Sequence, residues 1–216
     1  VSPHEPFDRV AADYDRWYDT PEGRRAFSAE VASLRLAVGA MSGRWLEVGV
    51  GTGRFAAALG IGAGVDPSPR MRAFALDRGI EAVEGSAEDL PFPSAAFDGV
   101  LLALTLCFVD DPQAALRECR RVLTGDGTLL VGIIPADSPW GAAYMREAEQ
   151  GHPVYATAGF FASGDVVPLV ERAGFRLLTS SSTLLWRPEE HSEGTPRIET
   201  GIVPEAGFLA LSFAPR

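Results

Sequence analysis

Two hydrophobic rhythms run along the chain. Before residue 40 the apolar positions recur every three or four residues. Phe27, Val31, Leu34 and Val38 share one helix face, and Thr20-Pro21 ahead of them suits an N-cap and a first-turn proline. From residue 44 onward, short unbroken apolar runs alternate with helical patterns. Strands are predicted over 44–50, 62–66, 80–84, 97–106 and 128–135. Helices are predicted from residue 54 to 59, over 67–78 and over 112–123, the last with Ala115, Leu116, Cys119, Val122 and Leu123 as its buried stripe. Unbroken apolar strands separated by helices imply a parallel sheet covered on both faces. Residues 136–162 interrupt the alternation with prolines, glycines and aromatics and read as an insertion or lid. A helix follows over 164–173. Strands over 175–185 and 207–213 are joined by the polar stretch 187–205 with no helix between them, so they should form an antiparallel hairpin.

The 216 residues therefore read as one α/β domain. It divides into an N-terminal helical lid (1–40), a ligand-binding core (41–135), the insertion (136–162) and a C-terminal helix with hairpin (163–216). The 19 basic and 29 acidic residues give a formal charge of −10, which argues against nucleic acid or an anionic membrane as partner. All the basic residues are Arg. Without Lys there is no Walker A lysine and no Schiff-base lysine. Cys107 and Cys119 show no CxxC spacing, and His4, His152 and His191 are scattered, so no metal site is expected. The longest apolar run, residues 99–109, is too short to span a bilayer, and the first residues show no signal-peptide pattern. The expected compartment is the cytoplasm.

Candidate chemistry begins at residues 47–53, Glu-Val-Gly-Val-Gly-Thr-Gly, between a strand and a helix. Glycines there permit a tight turn with positive φ and let a ligand approach bare backbone. The dinucleotide spacing GxGxxG fails, because Arg54 stands where its third glycine belongs. Asp66 ends the next predicted strand, 19 residues after Glu47. It reads either as an acceptor for ribose hydroxyls or as a helix N-cap before Pro67-Ser68, and its pairing with the glycine loop favours the nucleoside reading.

With those residues in view, the sequence resembles the class I S-adenosylmethionine-dependent methyltransferases, specifically the methyltransferase-11 type. Residues 45–55 (WLEVGVGTGRF) are similar to the family's first motif and 64–71 (GVDPSPRM) to its second. Residues 85–92 (GSAEDLPF) with 94–99 (SAAFDG) resemble its adenine loop, and 115–127 (ALRECRRVLTGDG) its helix and turn before strand five. The resemblance implies a doubly wound, mostly parallel Rossmann-like sheet of seven strands, order 3-2-1-4-5-7-6, with strand seven antiparallel and helical lids at the N-terminus. It implies S-adenosylmethionine as cofactor. Glu47 and Gly49 would lie near its methionine part, Gly51 and Gly53 would give backbone room, and Val48 and Thr52 would also belong to the cofactor-binding set. Asp66 would hold the ribose, with Pro67, Ser68 and Met71 packed around ribose or adenine. Ser86, Ala87 and Glu88 would meet the adenine edge, and Tyr14, Leu104 and Thr105 would line the methionine end. For Glu88, a solvated loop acid is the other reading.

Acceptor chemistry is less readable. The resemblance implies in-line methyl transfer to a nitrogen, oxygen or sulfur atom of a small molecule. A cofactor-binding domain without turnover and a nicotinamide-dependent oxidoreductase are the alternatives, and Arg54 counts against the second. The segment after strand four, Leu104-Thr105-Leu106-Cys107-Phe108-Val109, lacks the histidine that the family often carries there. Candidate substrate residues are Trp17 and Tyr18 from the lid, Cys107 and Phe108 after strand four, and Trp140, Tyr144, His152 and Tyr155 from the insertion. Cys107 reads more readily as an apolar filler and His152 as a surface or structural histidine, while Trp17 reads equally as helix packing. No catalytic residue is named, because a sulfonium methyl donor requires mainly alignment of the reactants.

Overall fold

The computed structural model describes residues 5–190 and 195–216; His4 and His191 lie outside them. Two helices come first, α1 (Glu5–Trp17) and α2 (Pro21–Val38). Thr20 caps α2, its hydroxyl accepting from the Gly23 N–H at 3.0 Å, with Pro21 at the first turn. The alternating core follows as β1 (Trp45–Val48), α3 (Arg54–Leu59), β2 (Ala63–Val65), α4 (Pro69–Asp77), β3 (Glu81–Val83), β4 (Phe97–Ala103), α5 (Pro112–Val122) and β5 (Leu123–Ile133). The chain closes with α6 (Pro139–Glu149), α7 (Val166–Arg172), β6 (Phe175–Thr183), β7 (Glu199–Thr200) and β8 (Phe208–Pro215).

One sheet collects all eight strands in the order β3-β2-β1-β4-β5-β8-β6-β7. The first five are mutually parallel, and β8 runs antiparallel to both β5 and β6. The expected order is thus present, with one added edge strand. Glu199 and Thr200 pair with Ser182 and Ser181 inside the stretch read as a polar connection. Two polar residues on a sheet edge carry no alternating pattern to read.

Three further differences have local causes. The fourth strand was expected to continue to residue 106 but ends at Ala103. Leu104 turns into the left-handed region at φ 56° and a single 3-10 turn, Leu106–Phe108, follows. Those apolar side chains line a cavity instead of a sheet face, so the apolar run outlasts the strand. The fifth strand begins at Leu123, earlier than expected. Residues 136–162 also hold more regular structure than their composition indicates. Ser138 caps α6 by accepting from the Gly141 N–H at 2.9 Å, and Pro139 opens its first turn.

The sheet is buried on both faces. On one side Phe97, Leu116, Val122, Phe175 and Phe213 pack under α5 and α7; on the other Leu34, Trp45, Leu101, Leu130 and Phe208 pack under α2. No helix among the described residues is long and apolar enough to cross a membrane.

Candidate active site

The strand tips of β1, β2 and β4 open toward a cavity of about 870 Å³, roofed by α1, α2 and α6. That volume lies near the top of the range for small-molecule sites, roughly 300–1,000 Å³. It is room for two reactants side by side.

At the floor, the turn after β1 is shaped by glycine. Gly49 sits at φ 70°, and a Cβ there would lie 2.3 Å from the Thr105 methyl carbon. Gly51 sits at φ 51° with open space where a Cβ would stand, so its backbone faces the cavity bare. Gly53 serves packing: it is the left-handed cap of α3, and its missing Cβ leaves room for Ala75 of α4. Thr105 donates its hydroxyl hydrogen to the carbonyl oxygen of Ala103 at 3.1 Å.

Asp66 follows β2 and is 8% exposed. It is not the N-cap of α4, a place taken by Ser68. One carboxylate oxygen accepts from the Gly51 N–H at 2.9 Å and the other from the Ser68 N–H at 2.8 Å, which ties the glycine turn to the start of α4. Each oxygen retains a further lone pair on the cavity side of the tip. Burial pushes its carboxyl above the usual range, and the two N–H donors oppose that shift. The helix cap itself is Ser68, which accepts from Met71 N–H at 3.1 Å and gives its own proton to Asp8 of α1 at 2.6 Å.

Of the expected cofactor residues, Tyr14, Gly49, Gly51, Asp66, Pro67, Met71, Ser86, Ala87, Glu88, Leu104 and Thr105 line the cavity. Glu47 and Thr52 line a side cavity of about 20 Å³ that shares Tyr14, Tyr18, Gly49 and Gly51 with the large one. Val48, Gly53 and Ser68 lie beneath the site and line neither. Glu47 is 1% exposed, and one of its carboxylate oxygens has no hydrogen-bond partner among the described residues. Burial holds its pKa well above the ordinary value. An orphaned buried acid beside a bare glycine turn fits a ligand with a positively charged end. Glu88 is more than a solvated loop acid: it lines the cavity and accepts from the Asp110 N–H at 2.8 Å.

All eight candidate substrate residues line the same cavity. Tyr14 and Tyr18 join hydroxyls at 3.0 Å, and Tyr155 stands between Tyr144 and His152 with ring centroids 4.6 and 4.3 Å away. Burial raises the pKa of all four tyrosines, so each keeps its phenolic proton at neutral pH. Burial likewise pushes the Cys107 thiol up to about 12, so it stands as a neutral wall group, its hydrogen directed at the Leu104 carbonyl at 3.7 Å.

Glu30 was not anticipated. It lies on α2, is 3% exposed, lines the cavity, and has a carboxylate oxygen with no partner among the described residues. Burial pushes its carboxyl up to about 8. A signal existed: Ala26, Glu30 and Leu34 are spaced by four, so the acid falls on the buried face of its helix. Phe7, Val10, Glu147 and Phe161 are further wall residues that were not expected.

A glycine turn with an acid at the next strand tip, at the centre of a doubly wound sheet, defines a nucleoside-cofactor-binding α/β protein. Comparison with known proteins narrows this. The methyltransferase-domain family profile matches residues 46–131. An S-adenosylmethionine-dependent methyltransferase structure from Thermotoga maritima, described as a possible histamine N-methyltransferase, is 35% identical, with all of both chains covered and a TM-score of 0.91. A demethylmenaquinone methyltransferase of a Roseiflexus species is 30% identical over 204 residues, covering 85% of this chain and 79% of the relative. An uncharacterized Mycobacterium tuberculosis protein is 41% identical over 204 residues, 94% of this chain and 72% of that one. The chain belongs to the S-adenosylmethionine-dependent methyltransferases. It is an enzyme of that class, and S-adenosylmethionine is its cofactor.

Proposed function

We propose that the protein transfers a methyl group to a nucleophilic nitrogen, oxygen or sulfur atom of a small molecule. The observation that carries this reading is the continuity of one cavity from the Gly51–Asp66 floor to an aromatic chamber under α1 and α6. The names of two similar proteins, a demethylmenaquinone methyltransferase and a possible histamine N-methyltransferase, both point to small acceptors, which supports the small-molecule part of the reading.

When bound, the cofactor supplies a methyl group activated on a sulfonium centre. Asp66 accepts from the ribose hydroxyls, while Pro67 and Met71 pack against ribose or adenine. Ser86, Ala87 and Glu88 meet the adenine edge. Glu47 offers its orphaned oxygen toward the positive end of the methionine part, with Leu104, Thr105 and Tyr14 beside it. The lid excludes water and holds the acceptor in line, and alignment of this kind can lower a barrier by roughly 7–11 kcal/mol.

Calorimetric titration with S-adenosylhomocysteine, with NAD in parallel, is the first test. Binding of the first alone is expected. Labelled methyl transfer to a panel of small amines, phenols, alcohols and thiols then tests the acceptor class. Transfer to none of them, with transfer to protein or RNA instead, would overturn the small-molecule reading.

A further inference from the structure

The chain has 19 basic residues, all of them Arg, yet among the described residues no arginine lines the cavity, whereas seven carboxylate side chains do. Asp66, Glu88 and Asp110 belong to the strand-tip side. Asp13, Glu22, Glu30 and Glu147 come from α1, α2 and α6 at the acceptor end. A wall of this kind repels carboxylates and phosphates and attracts cations.

Glu30 stands apart within that set because it is buried and one of its oxygens is unpartnered. The ionisable groups that act on it or feel it are Tyr14 of α1, Tyr18 of the turn after it and Tyr144 of α6, all neutral. Beneath α2, β8 carries no ionisable residue and β6 presents the Ser181 hydroxyl, which is bonded to Ser33 at 2.7 Å. Arg54 of α3 is taken up by Asp15 and Asp19, Asp126 of β5 is exposed, and Glu199 of β7 pairs with Arg197. Among the described residues no cation forms an ion pair with Glu30. A buried carboxyl group with an unpartnered oxygen, near the rings of Tyr14, Tyr18 and Tyr144, can serve as a receptor for an organic cation.

We propose, resting on the methyltransferase reading above, that the acceptor is a small organic amine that enters as an ammonium ion, lies against these ring faces and gives its proton to Glu30. Burial raises the Glu30 carboxyl to about 8, which narrows the gap to an aliphatic ammonium at roughly 10; the transfer is still uphill by about a hundredfold, and methylation of the free amine draws it forward. The protons balance as follows. The resting carboxyl releases one proton to water when the ammonium binds, then takes one from the ammonium, leaving R–NH2 beside a neutral carboxyl. The nitrogen lone pair forms the N–C bond while the S–C bonding pair stays on sulfur. The product leaves as R–NH2–CH3 with the positive charge on nitrogen.

The test uses phenethyltrimethylammonium, a permanent cation that can neither be methylated nor give up a proton, with 2-phenylethanol as the neutral control. Each is titrated into protein loaded with S-adenosylhomocysteine at pH 7, in buffers of different ionisation enthalpy. The cation should bind about tenfold or more tightly than the alcohol and release about one proton per site, because it ionises Glu30. Glu30→Gln should keep its S-adenosylhomocysteine affinity, lose most of the preference for the cation and release no proton. Equal affinity for cation and alcohol, or proton release that persists in Glu30→Gln, would overturn the proposal. So would a methylation panel in which only phenols, alcohols or thiols react, although the small-molecule reading would then stand. A protein that fails to take S-adenosylhomocysteine refutes both.

Discussion

Glu30 gives stability a pH dependence of the same sign as the other buried acids whose carboxyls burial raises, Glu47 and Asp66. In the unfolded chain the Glu30 carboxyl ionises near 4.5, and in the fold near 8. As pH rises between those values the unfolded chain sheds a proton that the native state keeps. Stability therefore falls across that window, by at most about 5 kcal/mol. Glutamine mimics the protonated acid, so Glu30→Gln should melt at the same temperature as the parent near pH 5 and several degrees higher near pH 8. Identical melting differences at both pH values would count against a buried proton. For Asp66 the role we propose is in binding. Asp66→Ala should leave the far-ultraviolet circular dichroism unchanged and weaken S-adenosylhomocysteine at least about tenfold, since charge-assisted hydrogen bonds contribute roughly 1.5–3 kcal/mol each. An unaltered dissociation constant would remove the ribose assignment. These two acids also differ in how far the sequence exposes them. Asp66 is legible because a strand, a glycine turn and a strand tip place it through local spacing alone. Glu30 is not, because its role depends on α1 and α6 closing over one face of α2.

At the scale of elements, the lid is anchored through Arg54, the residue that breaks the dinucleotide glycine pattern. Its guanidinium donates to Asp15 at 2.8 and 3.0 Å and to Asp19 at 2.9 and 3.0 Å, and Arg78 adds a bond to Asp15 at 2.8 Å. Burial opposes ionisation of Asp15, but the two guanidiniums prevail and hold its carboxyl down to about 2. A carboxyl held that low lends stability at neutral pH that is lost only as pH falls below about 4. The start of α3, just after the glycine turn, is thus tied to the end of α1: the residue that excludes a nicotinamide fingerprint also anchors that helix. Asp15→Asn should cost roughly 3 kcal/mol, the scale of a broken buried ion pair. It should also speed hydrogen exchange in residues 5–17 and dissociation of S-adenosylhomocysteine. Slower dissociation, or exchange changed only elsewhere, would show that the cluster does not hold the lid. Here the sequence was legible in part. The alternation of β1 to β5 with α3 to α5 is written in local periodicity. The helix α6 is obscured because its inward face carries Trp140 and Tyr144, which answer to the cavity and not to a regular apolar stripe.

For the molecule as a whole, the formal charge of −10 and the acid-lined cavity act in the same direction. An acidic surface raises the local concentration of cations, and a cavity with low-dielectric walls focuses that field inward. The long-range part of this attraction comes from exposed acids such as Asp13, Glu22 and Glu147, which salt screens over about 10 Å at 0.1 M. The short-range part comes from Glu30, which is shielded from solvent and much less affected. The two parts separate in a salt titration. The association rate of phenethyltrimethylammonium, followed by tryptophan fluorescence, should fall severalfold between about 20 and 300 mM salt, while its dissociation rate changes little. Glu30→Gln should keep the salt-dependent association, because the exposed acids remain, and accelerate dissociation at every salt concentration. A salt effect confined to dissociation in the parent protein would mean that the charge of the whole molecule plays no part in delivering the acceptor.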